Sequence, residues 1–128
     1  MKSHGSLPEL SKSELDIMKI LWQDGCGSAR EIHDKLKPAY HWAYSTTKTI
    51  MDRMVKKGHL VRENFHGVFL YRPLISKPAG LASFVRNFAD NVLEMDYGSV
   101  VSLFARSKTL TAQEITELTE LLQSQETG

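Results

Sequence analysis

Residues 45–71 constrain this chain more than any other stretch. They read as one short helix with an apolar inner face and a polar, basic outer face, then Lys57-Gly58, then a β-hairpin. At about 100° per residue, Thr47, Ile50, Met51 and Met54 gather on one side of the helix. Ser45, Thr49, Asp52, Arg53 and Lys56 fall on the other side, flanked by Thr46 and Lys48. Ser45 is placed to cap the helix, because its hydroxyl can accept an orphan backbone N–H. Gly58 follows the last apolar position and can take the left-handed stop conformation. Lys56 and Lys57 lie in the last turn, where the helix dipole favours cations.

The hairpin follows from composition. Leu60 to Phe65 and Val68 to Arg72 are rich in β-formers and flank His66-Gly67. Gly67 supplies the positive φ of a tight reversal. Pro73 closes the second strand, since it has no N–H for a ladder. A helix that shows Thr, Lys and Arg to solvent, backed at once by two strands, is the pattern of a winged helix-turn-helix that meets DNA.

Three segments open with Ser/Thr-x-x-Glu, in which hydroxyl and carboxylate satisfy backbone donors reciprocally. Ser11 to Glu14 opens a helix with Leu15, Met18, Leu21 and Trp22 inward, ending near Gly25. Ser28 to Glu31 opens a second with Ile32 and Leu36 inward, ending before Pro38. Thr111 to Glu114 opens the last, with Ile115, Leu118, Leu121 and Leu122 on one stripe. Between the second helix and the basic one, Pro38 to Tyr44 exceeds the tight turn of a minimal helix-turn-helix. Its aromatics read as packing onto the helix junction, with Tyr40, His41 or Trp42 on the DNA backbone as the functional alternative.

Beyond Pro73 the pattern turns helical. Pro78 sits in a first turn, where its missing N–H costs little. Leu81, Phe84, Val85, Phe88, Val92 and Met95 recur at three- and four-residue steps, Gly98 breaks the run, and Val100, Val101, Leu103 and Phe104 continue it. These stripes leave apolar surface that two paired tails would bury. The expected organisation is therefore a winged-helix domain over 7–73 and a helical dimerisation domain over 74–123. The fold class is mostly α with a small β-hairpin. Dimer contacts are expected from Leu81, Phe84, Val85, Phe88, Val92, Val101, Phe104, Ile115, Leu118 and Leu122. Fold-back of these helices onto the wing in a monomer is the competing arrangement.

Charge agrees with a basic head and an acidic tail. Residues 1–72 hold 12 Lys and Arg against 8 Asp and Glu, whereas 73–128 hold 4 against 7, for a net +1 overall. The single Cys26 excludes an internal disulfide and a four-cysteine metal site. No run approaches the roughly 20 apolar residues of a membrane span, so no membrane insertion is expected. Residues 1–6 lack the apolar core of a signal peptide, and read as a disordered arm or a non-native remnant. The expected location is cytoplasmic. His33, His41, His59 and His66 are scattered, and no metal or other cofactor is expected. No phosphate loop, nucleophile elbow or carboxylate pair is present, so the chain does not read as an enzyme.

Trp42 to Thr49, then Arg53 to Gly58, then Val68 to Tyr71, resemble the penicillinase-repressor family and its copper-transport-repressor relatives. Leu10-Ser11, Glu14, Met18, Leu21 and Trp22 resemble that family's opening, and Leu110-Thr111, Glu114-Ile115 and Leu118 its closing helix. The resemblance runs from about Leu7 to Leu122. It implies a homodimeric repressor on dyad operators, with an N-terminal winged helix and a C-terminal dimerisation region. The copper-responsive relatives carry Cys-x-Cys pairs in the tail; this tail has no cysteine, which excludes a thiolate metal site there. The β-lactam-responsive relatives are inactivated by cleavage of an Asn-Phe bond, and Leu103-Phe104 stands at that place here. Phe104 is kept there but Leu103 replaces the Asn, so the inducing signal stays open; a membrane sensor peptidase and the Leu103-Phe104 bond are the further partner and cleavage site that the resemblance offers.

The expected DNA-binding residues are Ser45, Thr46, Lys48, Thr49, Arg53, Lys56, Arg62 and His66. Ser45, Thr46, Lys48 and Thr49 reach base edges and nearby phosphates from the major groove. Arg53 reads a guanine edge or grips a phosphate. Lys56 and Arg62 hold the backbone, and the wing around Asn64, His66 and Gly67 touches a minor groove or phosphate. Asp52 is expected to pair with Lys48 or Lys56 along the helix. Two other classes compete: a winged-helix adaptor whose basic helix meets an acidic protein, and a small-ligand sensor with a pocket lined by Trp42 or Phe88.

Overall fold

The computed structural model describes residues 8–88, 98, 101–102, 105–106 and 110–127, with side-chain surroundings left aside at 87–88 and 124–127. Its elements run α1 (Lys12–Asp24), α2 (Ala29–Leu36), α3 (Tyr44–Lys56), β1 (Leu60–Phe65), β2 (Val68–Pro73), α4 (Lys77–Phe88) and α5 (Ala112–Thr127). The chain divides into two compact units. One is Leu10–Ser76; the other joins the residues before Leu10 to those from Lys77 onward.

Local chemistry sets the helix starts in the first unit. The Ser11 and Ser28 hydroxyls accept from the Glu14 and Glu31 amides, and both glutamates return a bond to the cap amide. Gly25 ends α1 at φ 90, a left-handed conformation that costs glycine nothing, and donates to the Leu21 carbonyl at 2.7 Å. Helix α3 ends as expected at Gly58, φ 85. The Gly58 N–H bonds Val55 O at 3.0 Å and the His59 N–H bonds Met54 O at 2.9 Å, a full Schellman closure.

The start of α3 differs from expectation. Ala43, not Ser45, is the N-cap, and no side chain caps it. Ser45 lies inside the first turn, exposed. The Trp42 indole, bonded to Thr47 Oγ1 at 2.8 Å, fixes where the chain turns into the helix.

Ile17, Met18 and Leu21 of α1, Ile32 and Leu36 of α2, and Met51 and Met54 of α3 form the buried core with Leu60 and Tyr71. Each such side chain stabilises the fold by about 1.5–3 kcal/mol on transfer from water. Ile50, expected inward, is only half-buried. Antiparallel β1 and β2 pair in register from Leu60↔Pro73 to Phe65↔Val68. Their two-residue turn places both His66 (φ 52) and Gly67 (φ 85) in the left-handed region, as a type I′ turn requires. The sequence alone assigns positive φ only to Gly67. A third edge has no signal in the sequence either: Gly27 and Tyr71 exchange both backbone bonds, at 2.8 and 3.1 Å, so the α1–α2 connection rides on the hairpin.

The first unit extends past Pro73, the boundary expected from sequence. Leu74 N–H bonds His59 O at 2.9 Å, and the Trp22 indole bonds Ile75 O at 2.9 Å.

In the second unit, Thr111 and Glu114 form the third capping box. Ala82 and Val85 of α4, Val101, Leu110, and Leu118 and Leu122 of α5 make one buried cluster, with Leu81, Ile115 and Leu121 packed against it. Four of the residues expected at a dimer contact belong to this cluster. Val85 (2 % exposed), Val101 (6 %), Leu118 (0 %) and Leu122 (1 %) are covered by their own chain. Leu81, Phe84 and Ile115 are half-buried. Phe88, Val92, Leu103 and Phe104, including the expected cleavage bond, lie outside the described side chains.

Candidate nucleic-acid interface

The candidate surface is the outer face of α3 together with the hairpin. Thr47, Met51 and Met54 anchor the helix by its inner face, all with no exposure. That leaves Ser45, Thr49, Arg53 and Lys56 exposed, with Thr46 and Lys48 half-exposed beside them. Among the described residues neither Arg53 nor Lys56 has an ion-pair partner, so both guanidinium and ammonium are unneutralised.

The junction ahead of α3 is held by a polar chain. Thr47 Oγ1 accepts from the Trp42 indole at 2.8 Å and lies 2.8 Å from buried His33 Nδ1. With its hydroxyl proton donated to Nδ1, Thr47 satisfies both neighbours. The Trp42 ring stacks on Tyr40 at 4.3 Å, and the Tyr40 hydroxyl donates to Asp16 at 2.6 Å. That bond to Asp16 pushes the Tyr40 phenol up to about 12. Tyr40 and Trp42 therefore pack, as the sequence suggested. His41 is exposed. The Trp42 indole and ring are thus both engaged within the head.

Lys48 and Arg62, expected on DNA, are held by Asp52. The Lys48 ammonium donates to Asp52 Oδ2 at 2.9 Å; Arg62 Nη1 and the Tyr71 hydroxyl donate to Oδ1 at 3.0 and 2.8 Å. Partial burial pushes the Asp52 carboxyl up, but the bonds from Lys48 and Tyr71, the Lys48 charge and the Arg62 bond together hold it below the usual carboxylate range. The bond to Asp52 raises Lys48, and burial followed by the same carboxylate raises Tyr71. The intrahelical pair with Lys48 was legible from spacing; the two bonds from the hairpin were not.

Other cations near the face are also accounted for. Lys57 pairs with nearly buried Glu14 at 2.8 Å, and Arg72 with Glu63 at 2.7 Å on the wing. Arg62 lies 4.4 Å from the Phe69 ring centroid. Sequence reasoning missed Arg30, whose guanidinium sits 4.1 Å over the Tyr44 ring beside the start of α3. Arg30, Tyr44, Lys48, Val68 and Phe69 line a groove of about 260 Å³ between α2, α3 and the hairpin. Nothing in the local pattern of α2 points to that meeting. His66 stays at the hairpin tip with its ring against Phe65 at 4.4 Å. Among the described residues no cluster of three His, Cys, Asp or Glu could hold a metal.

Three helices, a two-stranded wing, and a third helix with an outer face bearing Ser, Thr and exposed cations define a winged helix-turn-helix protein of the nucleic-acid-binding class. Residues 10–124 match the penicillinase repressor family model, and the chain belongs to that family of transcriptional repressors. It is 28 % identical over 114 residues to the methicillin resistance regulatory protein MecI of Staphylococcus aureus strain N315, covering 89 % of this chain and 93 % of that one. It is 27 % identical over 117 residues to the penicillinase repressor of Bacillus licheniformis, covering 91 % of each. The solution structure of monomeric Bacillus licheniformis BlaI with the blaP half-operator is similar at a TM-score of 0.51 and 30 % identity, over 58 % of this chain and 90 % of that one.

Proposed function

We propose that this chain is a transcriptional repressor that binds a dyad operator in duplex DNA as a homodimer. The observation that carries the reading is the outer face of α3. It offers Ser45, Thr49, Arg53 and Lys56 to solvent, on a helix whose inner face is locked into the core. Family membership supports it, and so does the likeness to BlaI on its half-operator.

In this mechanism the N-terminal half of α3 enters the major groove. Ser45, Thr46 and Thr49 meet base edges and nearby phosphates. Arg53, with no carboxylate partner among the described residues, donates two parallel bonds to a guanine edge or grips a phosphate. Lys56 holds the backbone without reading sequence. The type I′ tip at His66-Gly67 approaches the next groove. Repression is steric, by occupation of promoter DNA. Relief by a membrane sensor peptidase cutting at or near Leu103-Phe104 belongs to the same reading and rests on the family alone.

The test is a gel shift with a salt series on a duplex that the protein selects from a randomised pool and on a scrambled duplex. Arg53→Ala should lower discrimination by about 1–3 kcal/mol. Lys56→Ala should weaken both duplexes alike and reduce the salt slope by about 1. A protein that ignores every duplex in dilute buffer would end the reading. That result would favour a protein-docking role instead, which has one observation behind it: Phe65, Val68 and Phe69 are 59, 51 and 41 % exposed on the wing.

A further inference from the structure

Among the described residues, Arg53 and Lys56 on the outer face of α3 have no ion-pair partner, and they stand beside two cations that do. Asp52 lies on the same outer face of α3, one residue before Arg53 and four after Lys48. Its two oxygens take three donors from three elements: Lys48 Nζ from α3 itself, Arg62 Nη1 from β1 and the Tyr71 hydroxyl from β2. Arg62 and Tyr71 are direct cross-strand partners. The carboxylate therefore grips the wing at one rung of its ladder.

That rung is itself fixed. Tyr71 is 1 % exposed and exchanges both backbone bonds with Gly27. Arg62 is steadied by the Phe69 ring. Asp52, Lys48 and Arg62 keep side-chain exposures of 33, 37 and 36 %, so the cluster is open to an approaching polyanion.

Two consequences follow from elementary electrostatics. Sequence-independent affinity comes from cations that neutralise phosphates and release counterions. A lysine and an arginine already compensated by a carboxylate contribute little to that release, and the carboxylate itself repels phosphate. Base reading, in contrast, depends on the angle at which Ser45, Thr49 and Arg53 are presented, and a clip from helix to wing fixes that angle.

We infer that Asp52 is a specificity-determining positioning residue of the DNA interface: it withholds Lys48 and Arg62 from arbitrary duplex and locks α3 to the wing rung Arg62–Tyr71. The inference rests on the DNA-binding reading above and deepens it. Asp52 lowers non-specific affinity more than it lowers operator affinity, and so widens the gap between them.

The experiment compares wild type, Asp52→Asn and Tyr71→Phe on two probes. One is a duplex selected by the wild-type protein from a randomised pool; the other is its scrambled counterpart. Asn keeps the shape and one acceptor oxygen but removes the charge. Asp52→Asn should tighten binding to the scrambled duplex, steepen its log–log salt slope by about 1 to 2, and reduce the selected-to-scrambled ratio roughly tenfold, within the range that separates specific from non-specific binding. Tyr71→Phe removes one bond of the clip and no charge. It should leave the salt slope unchanged and reduce only the ratio. Thermal melts of all three proteins identify any loss of fold. Unchanged slope and ratio in Asp52→Asn would overturn the inference, as would an equal loss on both probes at an unchanged slope, which marks a merely structural residue. Wild type that binds neither probe sinks the parent reading, whereas wild type that binds with an unmoved Asp52→Asn sinks this inference alone.

Discussion

His59 lies just past α3, where its backbone serves two elements at once. Its N–H closes α3 on Met54 O and its carbonyl accepts from Leu74. The residue is 9 % exposed, and its Nδ1 is buried with no hydrogen-bond partner among the described residues. Burial pushes the imidazole below its ordinary 6.5; the Glu14 charge opposes that shift and the Lys57 charge adds to it. The unfolded chain therefore binds a proton here before the folded one does. Stability on this account is full above pH 6.5 and falls as pH drops from there toward the lower folded value. Depressed carboxylates act elsewhere: Glu14 and Asp52 lose their contributions only as pH falls below their ordinary 4.5 and 3.8 and on through their lower folded values. The two windows separate on the pH axis. Urea melts taken across pH 7 to 5 should show a falling midpoint in wild type and a flatter profile in His59→Gln. A His59→Gln profile parallel to wild type would assign the slope to another group.

At the scale of elements, what could be read from sequence and what could not divide along locality. All three capping boxes were legible, because each is a contact between residues three apart. The Gly58 stop and the strand pair were legible for the same reason. The Ala43 cap was not, because Trp42 and Thr47 set that turn through His33 of another helix. The Gly27–Tyr71 bridge joins residues far apart in sequence, and no period announces it. In the site, exposure of Ser45, Thr49, Arg53 and Lys56 followed from helical periodicity, while capture of Arg62 by Asp52 required the folded wing. The wing turn shows how one residue controls an element. Gly67, at φ 85, has open space where a Cβ would stand, with no heavy atom within 4 Å. A side chain there meets only backbone strain. Gly67→Ala should cost about 1–2 kcal/mol for the left-handed residue, read as a lower urea midpoint at an unchanged m-value. An unchanged midpoint would mean the turn relaxes to another type and that the observed φ pair is not required.

Over the whole chain, the proposed homodimer makes specific demands on the tail. Four of the residues expected between protomers, Val85, Val101, Leu118 and Leu122, already form a core within one chain. In the proposed dimer a partner would use what remains half-buried, such as Leu81, Phe84 and Ile115. The two classes of residue make opposite predictions. Leu118→Ala opens a cavity in the tail core and should cost about 2–5 kcal/mol of stability. Phe84→Glu puts a charge on the half-buried face, where a single chain can turn it to water but a pair of tails cannot. In sedimentation equilibrium wild type should be a dimer, with a melting temperature that rises with concentration. Phe84→Glu should be a monomer whose melting no longer depends on concentration. The functional readout follows from tethering. Two linked heads engage a dyad with an effective concentration that adds about a hundred- to ten-thousandfold over one head, so Phe84→Glu should lose that factor on the selected dyad while keeping its affinity for a single half-site. A wild-type protein that sediments as a monomer and binds dyad and half-site equally would remove dimerisation from the proposal while leaving the α3 face intact. A dimer undisturbed by Phe84→Glu would instead move the contact to Leu81, Ile115 or the residues beyond α4.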